Sequence, residues 1–171
     1  EATEYLYQLG HRKIAYLGVD NSLVFSADRR NGYQLALTRH GIVPKPEYCV
    51  ELPSITAGED TPVHALLRSA SRPTAIVVSD DILALTLERI CTETRLSIPA
   101  DLSILSFNNS LFARLTSPQL TSIDINSCQL GIEAAAQMIS HIENPELPAT
   151  KILVPHQLIE RDSCARPVSH S

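Results

Sequence analysis

The sequence predicts an α/β fold, a Rossmann-like parallel sheet with helices on both faces. Three observations carry this. Short apolar runs alternate with stretches of helical spacing along the whole chain. The run Thr74-Ala75-Ile76-Val77-Val78 is continuously apolar, which suits a strand buried on both faces. The 171 residues, 44% of them apolar, also suffice for one core of ordinary domain size without disulfides or metals.

The elements follow in order. Lys13 to Gly18 reads as the first strand, and Ser26 to His40 as a helix with Ala27, Leu35 and Leu37 at helical intervals, closed by Gly41. A weaker strand around Tyr48 to Leu52 precedes a helix from Ala57 to Ser69, in which Val63, Leu66 and Leu67 share a face. After the strand at 74–78, Asp81 to Arg95 carries Leu83, Leu87 and Ile90 at helical spacing. Leu102 to Phe107 and Leu120 to Ile125 are further strands, Leu130 to Ile142 is a helix, and a Pro-rich linker covers Asn144 to Pro148. Ile152-Leu153-Val154 is expected to be the last strand. Connections this short imply right-handed crossovers.

Composition narrows the function. Fourteen basic against nineteen acidic residues give a net charge of -5, and Lys and Arg form no stripe of the kind that neutralises phosphates, so these residues alone are not expected to bind DNA. Cys49, Cys91, Cys128 and Cys164 include no C-x-x-C pair, and the six histidines show no ligand spacing, so a reduced, cytosolic protein without structural metal or cofactor is expected. No signal peptide opens the chain, and no apolar run approaches the roughly 20 residues that span a bilayer. A nucleophile elbow, a dinucleotide or Walker loop and a zinc-hydrolase helix are all missing, so binding rather than catalysis is the expected role.

In an open α/β sheet, ligands sit beyond the carboxyl ends of the strands. Three such places are polar: Ser79-Asp80-Asp81, Asn108-Asn109-Ser110, and a loop running from Gly18 to Ser26-Ala27-Asp28-Arg29. Carboxylate, amide and guanidinium groups converging on one crevice suit a neutral polyol, whose adjacent hydroxyls both donate and accept. Each also has a plainer reading. Asp81 is most simply a helix N-cap, and Asp80 is either a turn residue or a ligand contact. Asn108 and Asn109 fit a turn as well as a site, and Arg29 fits a solvated face or a salt bridge. Phe25 and Phe112 are either core residues or platforms for a sugar ring.

Several blocks resemble the lactose/galactose repressor (LacI/GalR) family of bacterial transcription regulators. Leu9-Gly10-His11-Arg12-Lys13-Ile14-Ala15, then Arg29-Arg30-Asn31-Gly32-Tyr33-Gln34-Leu35-Ala36-Leu37, look like its L-G-H-R-x-I-A and R-x-x-G-[FY]-x-x-A-L blocks. Pro73-Thr74-Ala75-Ile76 with Asp80-Asp81-Ile82-Leu83-Ala84, and Ile98-Pro99-Ala100-Asp101-Leu102-Ser103-Ile104, resemble P-T-A-I…N-D-x-M-A and V-P-x-D-V-S-V. Pro118-Gln119-Leu120-Thr121-Ser122-Ile123 with Leu130-Gly131, and Glu160-Arg161-Asp162-Ser163, resemble P-x-L-T-T-[IV]…L-G and the closing R-E-S.

The resemblance implies a periplasmic-binding-protein-like type I domain: two subdomains, an effector in the cleft between them, and three chain crossings. It implies that residues 11–120 and 151–171 form the C-terminal subdomain, that 1–10 and 121–150 are remnants of the N-terminal one, and that the DNA-binding domain lies upstream of Glu1. It further implies an effector site of Arg29, Asp80, Asn108 and Phe25, and a homodimer anchored by Leu85, Leu111 and Leu115, with operator DNA bound through the upstream domain. Asn108 stands where many members have Asp. The stretch Ser106 to Ser110 with Leu120 to Ile125 is most similar to maltose-operon repressors of Gram-positive bacteria, which implies a maltose-type sugar effector. Leu52-Pro53-Ser54-Ile55 lacks an aromatic that several members place there, a platform for which Phe25 or Phe112 is the substitute. A transport-type sugar-binding protein of the same fold is the alternative function.

Overall fold

The structure, a computed structural model, describes residues 1–19, 24–53 and 61–168. Its strands form one sheet in the order β2-β1-β3-β4-β5-β6, from β1 (Ile14–Val19), β2 (Cys49–Leu52), β3 (Ala75–Val78), β4 (Ser103–Phe107), β5 (Thr121–Asp124) and β6 (Gln157–Ile159). Every pairing from β2 to β5 is parallel, and β6 closes the edge antiparallel to β5, with Ile123 opposite Leu158. The strand order reverses between β1 and β3, and such a switch point opens a crevice at the carboxyl end of an α/β sheet.

Side chains alternate between two helical layers as the pleat requires. Ala15, Leu17, Ile76, Val78 and Ile104 join one core with α3 (Thr61–Arg68) and α4 (Asp81–Glu93), while Ile14, Tyr16, Ala75, Val77 and Leu105 join the other with α1 (Ala2–Gln8) and α2 (Val24–Arg39). On α4 the buried stripe is Leu83, Ala84, Leu87, Ile90 and Cys91, spaced for one helical face. Each fully buried leucine there contributes about 1.5–3 kcal/mol. The expected helix over 57–69 is described from Thr61; residues 57–60 lie outside the described residues.

Two expectations are corrected. Ile152-Leu153-Val154 forms no strand: Leu153 is 80% exposed, and the antiparallel pairing starts only at Gln157, beyond Pro155, which has no N–H for a ladder. The sheet is therefore parallel except at this edge. The helix expected over Ser26 to His40 is α2, which begins at Val24 and carries Ser26 to Arg29 in its opening turns. Asp81 does not cap α4; Asp80 does, its carboxylate accepting the N–H of Ile82 at 2.7 Å.

The helices α1 and α6 pack unlike each other. α1, assigned by the resemblance to the preceding subdomain, buries Ala2, Thr3 and Leu6 on this sheet. The helix α6 (Ser127–Glu143) has no buried residue at all. Between Phe107 and β5, the short helix α5 (Leu111–Leu115) buries only Ala113.

Candidate functional site

The crevice is built at the switch point. Gly18 makes room for it: a Cβ there would come within 2.7 Å of the Tyr16 ring, so only glycine lets that ring lie along the end of β1. The Tyr16 hydroxyl then reaches the carbonyl of Ser26 in α2, and burial pushes its pKa up to about 12. Arg29, one turn further along α2 and partly buried, extends across the strand ends. Its Nη1 donates to the Ser79 carbonyl at 2.5 Å and its Nη2 to Asn108 Oδ1 at 3.2 Å. Asn108 Nδ2 donates in turn to Asp80 Oδ2 at 2.6 Å.

Arg29, Asn108 and Asp80 thus form one relay across the ends of β1, β3 and β4. Its chemistry fixes the amide: only the oxygen of Asn108 can face a guanidinium, and only its NH2 can face a carboxylate. The neutral amide joins cation to anion, so the relay as a whole is close to charge-balanced. The guanidinium also lies over two aromatic rings, with its carbon 4.5 Å from the Phe107 centroid and 5.1 Å from that of Phe25. Burial lowers the Arg29 pKa from its ordinary value, while Tyr16, Asp80 and Asp81 act in the opposite sense. Arginine stays charged throughout the physiological range regardless.

Beside the relay lies a cavity of about 320 Å3, lined by Arg29, Phe107, Ile123, Ile125, Leu130 and His156 among others. A second hollow, about 440 Å3, adjoins Arg29, Asp28, Tyr33 and Phe107. Glu1 and His156, which are hydrogen-bonded to each other, border both. Apolar walls with a few converging polar groups are what a small polar ligand needs: the former exclude water and the latter fix orientation.

Asp81 serves the turn rather than the helix. It is buried, and it accepts from Ser106 Oγ at 2.5 Å, Ser122 Oγ at 3.0 Å and the Ser110 N–H at 2.6 Å. These bonds hold the β4–α5 turn, in which Asn108 and Asn109 have φ of 97° and 47°, a left-handed region that asparagine tolerates better than most residues. The tail is stitched just as tightly. Ser163 Oγ accepts from the Thr121 N–H and donates to the Ile104 carbonyl, and the buried His11 bridges Thr74 and the Ala165 carbonyl. Burial lowers the pKa of His11, which braces the tail against the sheet.

Of the residues expected at the site, Arg29, Asp80 and Asn108 are brought together, and Phe25, half-exposed, lies against Arg29. Phe112 is on α5, 44% exposed, and lines neither hollow. Ser54 and Ile55 lie outside the described residues. Phe107 and His156 were not singled out from sequence; the position of Phe107 at the end of a buried strand was the available signal. Leu85 is half-buried on α4, while Leu111 and Leu115 are 59% and 70% exposed on α5, which packs against α4.

A six-stranded, switch-point sheet with a polar relay at its carboxyl edge defines the class: an α/β ligand-binding domain of the periplasmic-binding-protein type. Residues 3–164 match the model of the periplasmic binding protein-like domain. The chain belongs to this family, in the form found as the effector-binding domain of LacI/GalR-type transcription regulators. It is 30% identical over 166 residues to the probable HTH-type transcriptional repressor ExuR of Bacillus subtilis, covering 97% of this chain and 50% of that protein. It is 32% identical to the ribose operon repressor of Haemophilus influenzae, over 84% of this chain and 43% of the relative. A solved structure of a putative LacI transcriptional regulator from Bacillus cereus superposes with a TM-score of 0.90 at 36% identity, over 96% of this chain and 58% of the other. The chain spans about half the length of the curated relatives it matches. Those relatives are repressors and not transport proteins. Among the described residues no helix is long and apolar enough to cross a membrane, and no group of His, Cys, Asp and Glu could hold a metal ion.

Proposed function

We propose that this chain is the effector-sensing and dimerising part of a cytoplasmic LacI/GalR-type repressor, and that its effector is a neutral polyhydroxy compound of the sugar class. The observation that carries this is the Arg29–Asn108–Asp80 relay, whose charges already offset each other and whose remaining N–H groups and carboxylate lone pairs suit vicinal hydroxyls. The Phe25 and Phe107 rings on the guanidinium add an apolar flank of the kind sugars lie against. One relative governs a ribose operon, which favours the same ligand class. Operator DNA is assigned to a segment outside these residues, because their charge is -5.

We assign the unit from α1 to β5, with β6 and the tail, to one subdomain, and α6 to the other. We place its dimer surface at Leu85, Leu111 and Leu115 on α4 and α5, two helices that pack together and also expose Ile82 and Phe112. The test is a thermal-shift screen of the full-length protein against ribose, glucose, galactose, maltose and cellobiose, with the corresponding uronic acids as charged counterparts. A neutral sugar is expected to raise Tm, and maltose tests the resemblance to maltose-operon repressors. Stabilisation by the uronic acids alone would overturn the neutral assignment.

A further inference from the structure

Asn109 stands next to Asn108 but has other partners. Its Oδ1 accepts from Arg161 Nη2 at 2.5 Å, and its Nδ2 donates to Asp124 Oδ2 at 2.9 Å. Both bonds involve a charged group and are of the stronger kind. Asp124 ends β5, and its other oxygen accepts the N–H of Asn126 at 2.7 Å. Asn126, at φ 53°, immediately precedes α6, which buries nothing on this sheet, so 124–126 is where the chain leaves the unit. Arg161 lies just past β6, where the chain has returned. Its Nη1 donates to the Leu120 carbonyl at 2.7 Å, and its backbone N–H to Thr121 Oγ1 at 3.0 Å.

One amide therefore clasps the outgoing and the returning segments, one residue away from the relay. We propose that Asn109 is a positioning residue that couples the effector turn to these two crossings, so that a shift of Asn108 is passed to the 124–126 exit and to Arg161. The proposal rests on reading the crevice as the effector site and names the regulation of that site. Its physical basis is that the turn is tied too firmly to move piecemeal. The Asn108 N–H donates to the Ile123 carbonyl at 2.8 Å, the Asn109 N–H to Ser122 Oγ at 3.0 Å, and the Ser110 N–H to Asp81. A contiguous network of this kind has to be reciprocal, because coupling between two places is the same measured from either end.

Reciprocity supplies the test, which is amide hydrogen exchange on the full-length protein without ligand. Asn109→Gly keeps the left-handed backbone and removes only the clasp; Asp124→Asn weakens it from the far end. Asp124→Asn should speed exchange at Asn109 and Ser110 by about five-fold or more, and Asn109→Gly should do the same at Asn126, while amides of β1 and β3 keep their protection. A residue that merely props its own turn would alter exchange at its own end only, and that result in both variants overturns the proposal. If Asp124→Asn loses the protection of β1 and β3, Arg161→Gln takes its place, with the same expectation at Asn109 and Ser110 and the same overturning result. No ligand enters the measurement, so its outcome is separate from whether a sugar binds.

Discussion

The turn after β4 and the helix α6 flank the same exit from the sheet, and they are built on opposite terms. In the turn, short polar side chains from distant parts of the chain bind one another: Asp81 holds Ser106, Ser110 and Ser122, and Asn109 holds Asp124 and Arg161. Along α6, Ile132, Met138 and Ile139 are each more than half exposed, and nothing on the helix is buried. The turn is completed within these residues. The helix leaves an apolar face uncovered by these residues, and a helix draws most of its stability from packing such a face.

Substitutions should separate the two regions by size of effect. The largest belongs to the core beneath the turn, where Leu87 is fully buried: Leu87→Ala should cost about 2–5 kcal/mol in chemical denaturation. Asp81→Ala strands two serine hydroxyls and one N–H and should cost about 2–4 kcal/mol. A loss below about 0.5 kcal/mol for Asp81→Ala would show that the turn does not depend on it. Met138→Ala, on α6, should change the stability of this chain by less than about 0.5 kcal/mol. A larger loss would mean that α6 packs on something within these residues. The proposed dimer surface makes a further contrast: if it is the two-fold contact, Leu85→Arg should give monomers in sedimentation, by placing an unpaired charge there. Equal masses for wild type and variant would remove α4 from the interface.

A pH dependence is also expected. Burial on α4 pushes Glu88 up to about 7, with the neighbouring Thr116 hydroxyl acting in the opposite sense. The folded state then holds this proton more tightly than the unfolded state, whose carboxyl titrates near 4.5. Its contribution is fully present below pH 4.5 and is lost as pH rises to about 7. Glu88→Gln should flatten the pH dependence of stability over that window, as unfolding at several pH values would show.

The order of strands and helices was legible in the sequence because strands buried on both faces are continuously apolar, and α4 because Leu83, Leu87 and Ile90 share a face. The candidate site was legible in outline, since Asp80 and Asn108 stand just past β3 and β4 and the resemblance singles out Arg29. What was hidden depended on distance along the chain. Asp81 looked like a cap because its partners Ser106 and Ser122 are 25 and 41 residues away. The true last strand, Gln157–Ile159, is less apolar than Ile152-Leu153-Val154, so hydrophobicity pointed to the wrong segment, and only the pairing with β5 selects the right one.

The relay itself is tested most directly by titration calorimetry of the full-length protein with the neutral sugar that stabilises it, comparing wild type with Arg29→Ala and Asp80→Ala. Each substitution removes charge-assisted hydrogen bonds and should weaken binding by about 1.5–3 kcal/mol, roughly ten- to a hundred-fold in Kd. Unchanged affinity in both variants would contradict the assignment of this crevice as the effector site.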